Sequence, residues 1–156
     1  MESINSVTIC KYKNFDINKL NIYDFDIKYE NNSFYIQGPV FTEYELINHK
    51  EKKYIELKLN EKKIPHINFL TLVDSIEIKL NKFINNSKLN SLKTQVITNI
   101  QNKKSLKVKI DNSTSFYNSQ KEPVSNLYLN KISVLFKLEF YKYYYSWVAV
   151  QVLQLE

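Results

Sequence analysis

The segment from Lys131 to Leu155 restricts the fold more than any other part of the chain. In its first half Ile132, Val134, Phe136, Leu138 and Phe140 alternate with Lys131, Ser133, Lys137 and Glu139, with Leu135 the one exception. Successive side chains of an extended strand point to opposite faces, so a period of two predicts a half-buried strand. In the second half Val148, Val150 and Val152 form an apolar face, and Tyr143, Tyr145, Trp147 and Gln151 form an opposite face that is aromatic and polar. The segment reads as two long strands joined at the Tyr-rich middle. The second face is a candidate binding platform.

The remaining chain adds shorter strands and one helix. Val7 and Ile9 suggest an edge strand, and Tyr23, Phe25, Ile27 and Tyr29 alternate as a strand closed by the turn Glu30-Asn31-Asn32-Ser33. Phe34 to Gln37, Val40 to Ile47 and Tyr54 to Leu59 read as further strands, with Gly38-Pro39 as punctuation. After Pro65 the period changes: Phe69, Leu72, Val73, Ile76, Leu80, Phe83 and Ile84 recur at three and four residues, the pattern of an amphipathic helix ended by Asn85-Asn86-Ser87. Gln95 to Ile100, Leu106 to Ile110 and Thr114 to Asn118 are extended, and Ser119 to Ser125 is a loop. Many short strands, one helix and a final long pair predict a mainly β fold, an OB-like barrel with one inserted helix. An α+β sandwich is the alternative pattern. At 156 residues a single domain spanning 1–156 is expected.

Composition narrows the functional classes. Gly38 is the one glycine, so the chain cannot build a Gly-rich phosphate loop, which excludes P-loop and Rossmann nucleotide sites. All 22 cationic residues are Lys, and Lys, Asn and Ile supply 58 of the 156 residues, a bias toward AT-rich codons. Residues 1–78 carry a net −2 and residues 79–156 a net +8; between Lys79 and Lys121 nine lysines face one acid, Asp111. One strongly cationic side, suited to a polyanion, is the expectation. Cys10 is alone, which excludes an internal disulfide and a thiolate metal site. The first residues lack a signal-type apolar region, and the longest uncharged apolar run, 143–155, is 13 residues against about 20 for a spanning helix. No membrane association and a cytoplasmic location are expected.

Catalysis has little support. His49 and His66 fall in loops without partners at catalytic spacing, and Asp24 with Asp26, or Glu43 with Glu45, reads as the solvent face of a strand rather than a metal site. No enzyme and no cofactor are expected.

A resemblance sharpens the reading. The helix, then L-K-V-K-I at Leu106 to Ile110, the aromatic pair Phe116-Tyr117, I-S-V-L-F-K-L-E at Ile132 to Glu139 and S-W-V-A-V-Q-V at Ser146 to Val152 together resemble the OB-fold single-stranded DNA-binding proteins of nucleocytoplasmic large DNA viruses. Relatives of those proteins include the ones of yeast cytoplasmic linear (killer) plasmids. The likeness spans Asn68 to the end and centres on Trp147 and Gln151 of a closing strand. It implies a protein that coats and protects single-stranded DNA during replication, whatever the sequence, with RNA as a further possible ligand and with self-association and replication proteins as partners. Val7 to Lys13 and the edge of Tyr143 to Leu155 are the candidate strands for pairing between subunits. The acidic tail by which phage and bacterial proteins of this class recruit partners has no counterpart in Leu153-Gln154-Leu155-Glu156.

Single-strand binding needs cations along the phosphates and rings on which bases stack. Lys103, Lys104, Lys107 and Lys109 form the densest cationic cluster, and Phe116, Tyr117, Tyr143, Tyr145 and Trp147 are the candidate stacking rings. The absence of Arg argues against base-edge readout. The alternative from another class is a viral-type structural or protein-interaction module whose Tyr-rich face is a subunit contact.

Overall fold

The computed structural model describes residues 7–84, 92–125, 131–141 and 144–155. The final pair forms as expected: β10 (Ile132–Tyr141) lies antiparallel to β11 (Tyr144–Gln154). Ile132, Val134, Phe136 and Phe140 of β10 are buried, as their alternation predicts. In β11 the facing differs from the prediction. Leu135 lies opposite Gln151 but Phe136 lies opposite Ala149, so Val150 is an extra residue, a β-bulge. The bulge reverses the parity of the strand. Before it Tyr145, Trp147 and Ala149 face inward; after it Val152 and Gln154 do.

The main sheet runs β1 (Thr8–Lys11), β4 (Phe34–Phe41), β10, β11, β8 (Lys104–Ile110), β6 (Lys52–Leu59), β5 (Tyr44–His49), with β7 (Val96–Thr98) on β8 and β9 (Ser115–Tyr117) on β11. β4 and β5 are separated only by Thr42 and Glu43, so the two sides of this path belong to one bent segment and the sheet curls into a barrel. The pairing of β11 with β8 is parallel and that of β4 with β10 antiparallel. The result is an OB-like β-barrel with one inserted helix rather than two facing sheets. β1 is an edge strand, as predicted. β11 is not an edge, because β10 flanks one side and β8 with β9 the other, which removes it as a strand for pairing between subunits.

The helix α1 (Ile64–Ile84) follows the predicted stripe and carries Pro65 in its first turn, where a missing N–H costs nothing. Its buried residues include Phe69, Leu72, Val73, Ile76, Leu80 and Ile84, and Phe83 is partly buried. The stop expected at Asn85-Asn86-Ser87 lies outside the described residues. Phe69 sits amid four rings: Tyr12 at 6.0 Å, Phe41 at 5.8 Å, Phe136 at 5.6 Å and Trp147 at 5.7 Å between centroids. His66 is in the helix rather than a loop. Its buried ring accepts the Asn60 backbone N–H at Nδ1 (2.8 Å) and donates from Nε2 to the Val40 carbonyl (2.9 Å), tying helix to barrel.

Two local features show how a chain with one glycine makes its bends. The stretch expected as a single strand over Tyr23 to Tyr29 is a hairpin, β2 (Leu20–Tyr23) and β3 (Asp26–Tyr29), because Asp24 and Phe25 both adopt positive φ, 51° and 65°. Such a two-residue turn matches the twist of its strands, yet a bulky residue at positive φ is disfavoured. Ring contacts hold Phe25 there: Phe83 at 5.6 Å, Phe140 at 5.3 Å and Tyr141 at 6.3 Å. The glycine itself serves a close approach. A Cβ at Gly38 would lie 2.7 Å from the Phe136 ring, which is itself buried and stacked on Phe69.

Candidate nucleic-acid interface

The outer face of the barrel is set by the same alternation that fills its core. On β6, Ile55, Leu57 and Leu59 face inward, so Tyr54, Glu56 and Lys58 face outward. On β8, Leu106 and Val108 are inside, and Lys107 and Lys109 are outside. The pairing register then aligns these residues in rows. One row is Lys137, Val148, Lys109, Tyr54 and Ile47; the next holds Lys107, Glu56 and Glu45; beyond it Ser105 lies opposite Lys58.

Charge on this face is mixed. The Lys107 ammonium lies over the Tyr54 ring, 4.1 Å from its centroid. Lys109 and Lys137 both reach Glu139, at 3.7 and 3.6 Å. Lys58 contacts Glu56 at 3.0 Å and Glu45 at 3.7 Å, and the Glu56 hydrogen bond raises its ammonium above the ordinary Lys value. In the turn after β8 the Asp111 carboxyl is held below the usual carboxylate range, first by hydrogen bonds from Ser113. At the end of β6 remote from Lys58, Lys50 in the turn from β5 and Lys52 and Lys53 at the start of β6 are exposed. The expectation of one strongly cationic side is corrected: strands from both halves of the chain interleave in the sheet and bring Glu45, Glu56 and Glu139 among the lysines.

Of the sequence-derived site residues, the structure brings Lys107 and Lys109 together on this face. Lys103 and Lys104 lie beyond its end, Lys103 exposed in the turn after β7 and Lys104 paired with Glu61 at 3.5 Å. Trp147 is 0% exposed and Tyr145 2%, so neither presents a ring to a base. The reason is the bulge, which aims both rings inward. Trp147 packs edge-on against Phe69 and Phe136, and its Nε1–H is buried without a partner among the described residues. The Tyr145 hydroxyl donates to Glu77 of α1, a carboxylate that also accepts from Thr94 Oγ1 (2.7 Å) and the Gln95 N–H (3.0 Å). Burial pushes the Glu77 carboxyl up despite these donors.

Phe116 pairs with Val152 and is partly buried, one side packed against the core. Tyr117 stands beside Leu153, five residues along β11 from Val148, or about 16 Å away. It is therefore not part of the Lys107–Lys109 group. Tyr143 lies outside the described residues. Tyr141 and Tyr144, paired at the end of the β10–β11 ladder, are each 63% exposed.

Sequence reasoning missed Tyr54, Lys58 and Lys137. The signal for Tyr54 and Lys58 was present in the alternation of Tyr54 to Leu59, whose outward face reads Tyr-Glu-Lys, and that for Lys137 in the odd positions of Lys131 to Phe140.

No protein-family model and no curated protein matches this chain. Solved structures do. The single-stranded DNA-binding protein gp2.5 of bacteriophage T7 superposes with a TM-score of 0.55 at 9% identity, over 78% of this chain and 86% of that one. The single-stranded DNA-binding protein of bacteriophage Enc34 gives 0.53 at 14% identity, over 87% and 89%, and its complex with single-stranded DNA gives 0.51 at 14%, over 86% and 92%. The fold is shared with phage single-stranded DNA-binding proteins. At these identities the likeness concerns the backbone alone. Among the described residues no group of three or more His, Cys, Asp or Glu is placed to hold a metal, and no helix is long and apolar enough to cross a membrane.

Proposed function

We propose that this protein binds single-stranded DNA without regard to sequence, on the outer face of β6 and β8. The observation that carries the reading is the Lys107 ammonium over the Tyr54 ring, flanked by Lys109 and Lys137, on a barrel shared with two phage proteins of that activity. The pair has two uses. A cation over an exposed ring is worth about 0.5–1 kcal/mol, whereas a base stacked on an aromatic side chain is worth about 1–3 kcal/mol. A base therefore displaces the ammonium from the ring, and the freed charge is left beside the phosphates of the nucleotide that displaced it. Tyr54 stacks; Lys107, Lys109 and Lys137 neutralise the backbone. Reading of base edges has no part in this, in keeping with the absence of Arg.

The physiological role proposed is coating and protecting single strands during replication of an AT-rich cytoplasmic element, in line with the resemblance to viral and yeast linear-plasmid proteins. Self-association through the edge strand β1 and contacts with replication proteins belong to the same proposal.

The test is fluorescence polarisation of labelled oligo-dT, a duplex of equal length and an RNA strand across a salt series. Preference for oligo-dT over duplex, a falling affinity with salt, and a further loss in Tyr54→Ala are expected. Equal and purely salt-driven binding to all three probes would reduce the lysines to a non-specific patch. An RNA preference would change the ligand but not the face. No binding at low salt would overturn the reading in favour of a protein-interaction surface.

A further inference from the structure

A cavity of about 480 Å³ opens where the outer face ends, between the bend joining β4 to β5, the turn from β6 to α1 and the turn from β7 to β8. Lys58 and Ser105 belong to both: they lie opposite one another on the outer face and they line the cavity. The volume is that of a ligand site.

The lining selects the ligand. Four ammoniums, of Lys58, Lys62, Lys103 and Lys104, meet two carboxylates, of Glu43 and Glu61. Glu61 is paired with Lys104, and Lys58 is held by Glu45 and Glu56 from the sheet. Among the described residues Lys62 and Lys103 have no carboxylate within ion-pair distance. Two amides lining the same space are oriented by the backbone. The Asn60 side-chain oxygen accepts the Lys62 N–H at 2.9 Å, and that of Asn99 accepts the N–H groups of Gln101 and Lys103, both at 2.9 Å. Each amide's NH₂ end is left to donate elsewhere. The lining has no Phe, Tyr or Trp, and both nitrogens of the His66 ring are engaged. An excess of cationic and amide donors without a stacking ring suits an oxyanion and not a base or a metal ion.

We infer that this cavity is a phosphate-binding subsite that takes the backbone of a single strand as it leaves the Tyr54–Lys107 face. The inference rests on the proposed single-strand binding and extends its path. Tyr54 and Lys58 are four residues apart on β6, about 13 Å, so a strand stacked on Tyr54 and running along β6 toward Lys58 meets the cavity with its following phosphates. Free phosphate compounds share this chemistry, and the experiment separates the two sources.

Polarisation compares oligo-dT of about 4 and about 16 nucleotides, the limits of site size for such barrels, on the wild type and on the double variant Lys62→Gln/Lys103→Gln. Both positions are exposed, so folding is retained and is checked by thermal melt. The expected result is that the affinity gained on lengthening the strand shrinks by about tenfold in the variant. The slope of log affinity against log salt on the long strand falls by about 1.4, the counterion release of two single-strand phosphates. A gain and a slope equal to those of the wild type overturn the subsite. Tyr54→Ala, measured alongside, weakens both lengths; if it weakens neither, the failure lies in the proposed function.

A tripolyphosphate titration read on the Asn60 and Asn99 side-chain amide signals judges the cavity independently. Shifts present in the wild type and lost in the variant support it, and silent signals overturn it. Shifts with tripolyphosphate but none with oligo-dT overturn the strand path and leave a site for a free phosphate compound.

Discussion

The rings inside the barrel and the rings outside it meet different physics. Phe41, Phe69, Phe136 and Trp147 are buried completely and touch one another edge-on or stacked, so their contribution is area removed from water plus ring geometry. Tyr54, Tyr141 and Tyr144 keep part of their surface in solvent, and Tyr54 carries a lysine on its face. Aromatic abundance in this chain therefore speaks first about the core. Only a ring with a cation beside it, on an outward position, speaks about ligand.

The largest expected effect tests the inner set. Trp147→Ala or Phe69→Ala should lower unfolding free energy by about 3–5 kcal/mol in urea titrations. Loss of DNA binding in either variant should track the unfolded fraction. Trp147→Phe should cost less than Trp147→Ala, since it keeps a ring against Phe69 and Phe136 while removing the same buried, unpartnered N–H. If Trp147→Ala instead left stability intact and abolished binding, the inward assignment would fail.

Gly38→Ala comes next. Its added methyl meets the Phe136 ring at 2.7 Å, and that ring cannot move without disturbing Phe69, so a loss of about 1–3 kcal/mol is expected by the same titration.

Tyr54→Ala should behave in the opposite way to the core variants. Stability should change by less than about 1 kcal/mol, while oligo-dT affinity should fall by about 1–3 kcal/mol in polarisation assays. A loss of stability with no loss of affinity would move Tyr54 into the structural set.

The smallest effects are in the pH dependence of stability, where an inner and an outer carboxylate have opposite signs. Burial raises the Glu77 carboxyl, so the native state holds its proton to higher pH than the unfolded chain. Stability should therefore decline as pH rises from the ordinary carboxylate range through the raised value, and Glu77→Gln should flatten that decline. The Asp111 carboxyl is lowered, chiefly by Ser113. Its contribution is present above the ordinary Asp value and lost as pH falls through the folded one, and Asp111→Asn should remove that acid-side loss. Urea midpoints measured across pH 3 to 8 would read both, and matching signs would refute the contrast.

Periodicity carried much of the architecture. The helix stripe from Phe69 to Ile84, the even positions of β10 and the inward Ile55, Leu57 and Leu59 were legible because burial on one face of a regular element imposes its period on the chain. Lys107 and Lys109 were legible as outward for the same reason. Tyr145 and Trp147 were not, because one extra residue at Val150 changes the parity of β11 and nothing local to the sequence marks it. Nor was the hairpin at Asp24-Phe25, where distant rings stabilise a backbone conformation that Phe disfavours by itself.

By itself the sequence determined the elements whose period runs unbroken, such as α1, β6 and β8, and which of their faces are apolar, since those depend on neighbours one to four residues away. Only the tertiary structure decided which strands lie side by side. That pairing sets Lys107 over Tyr54, mixes glutamates from the acidic half among the lysines and opens the cavity beyond Lys58, because contacts between residues some fifty positions apart follow from how the sheet closes.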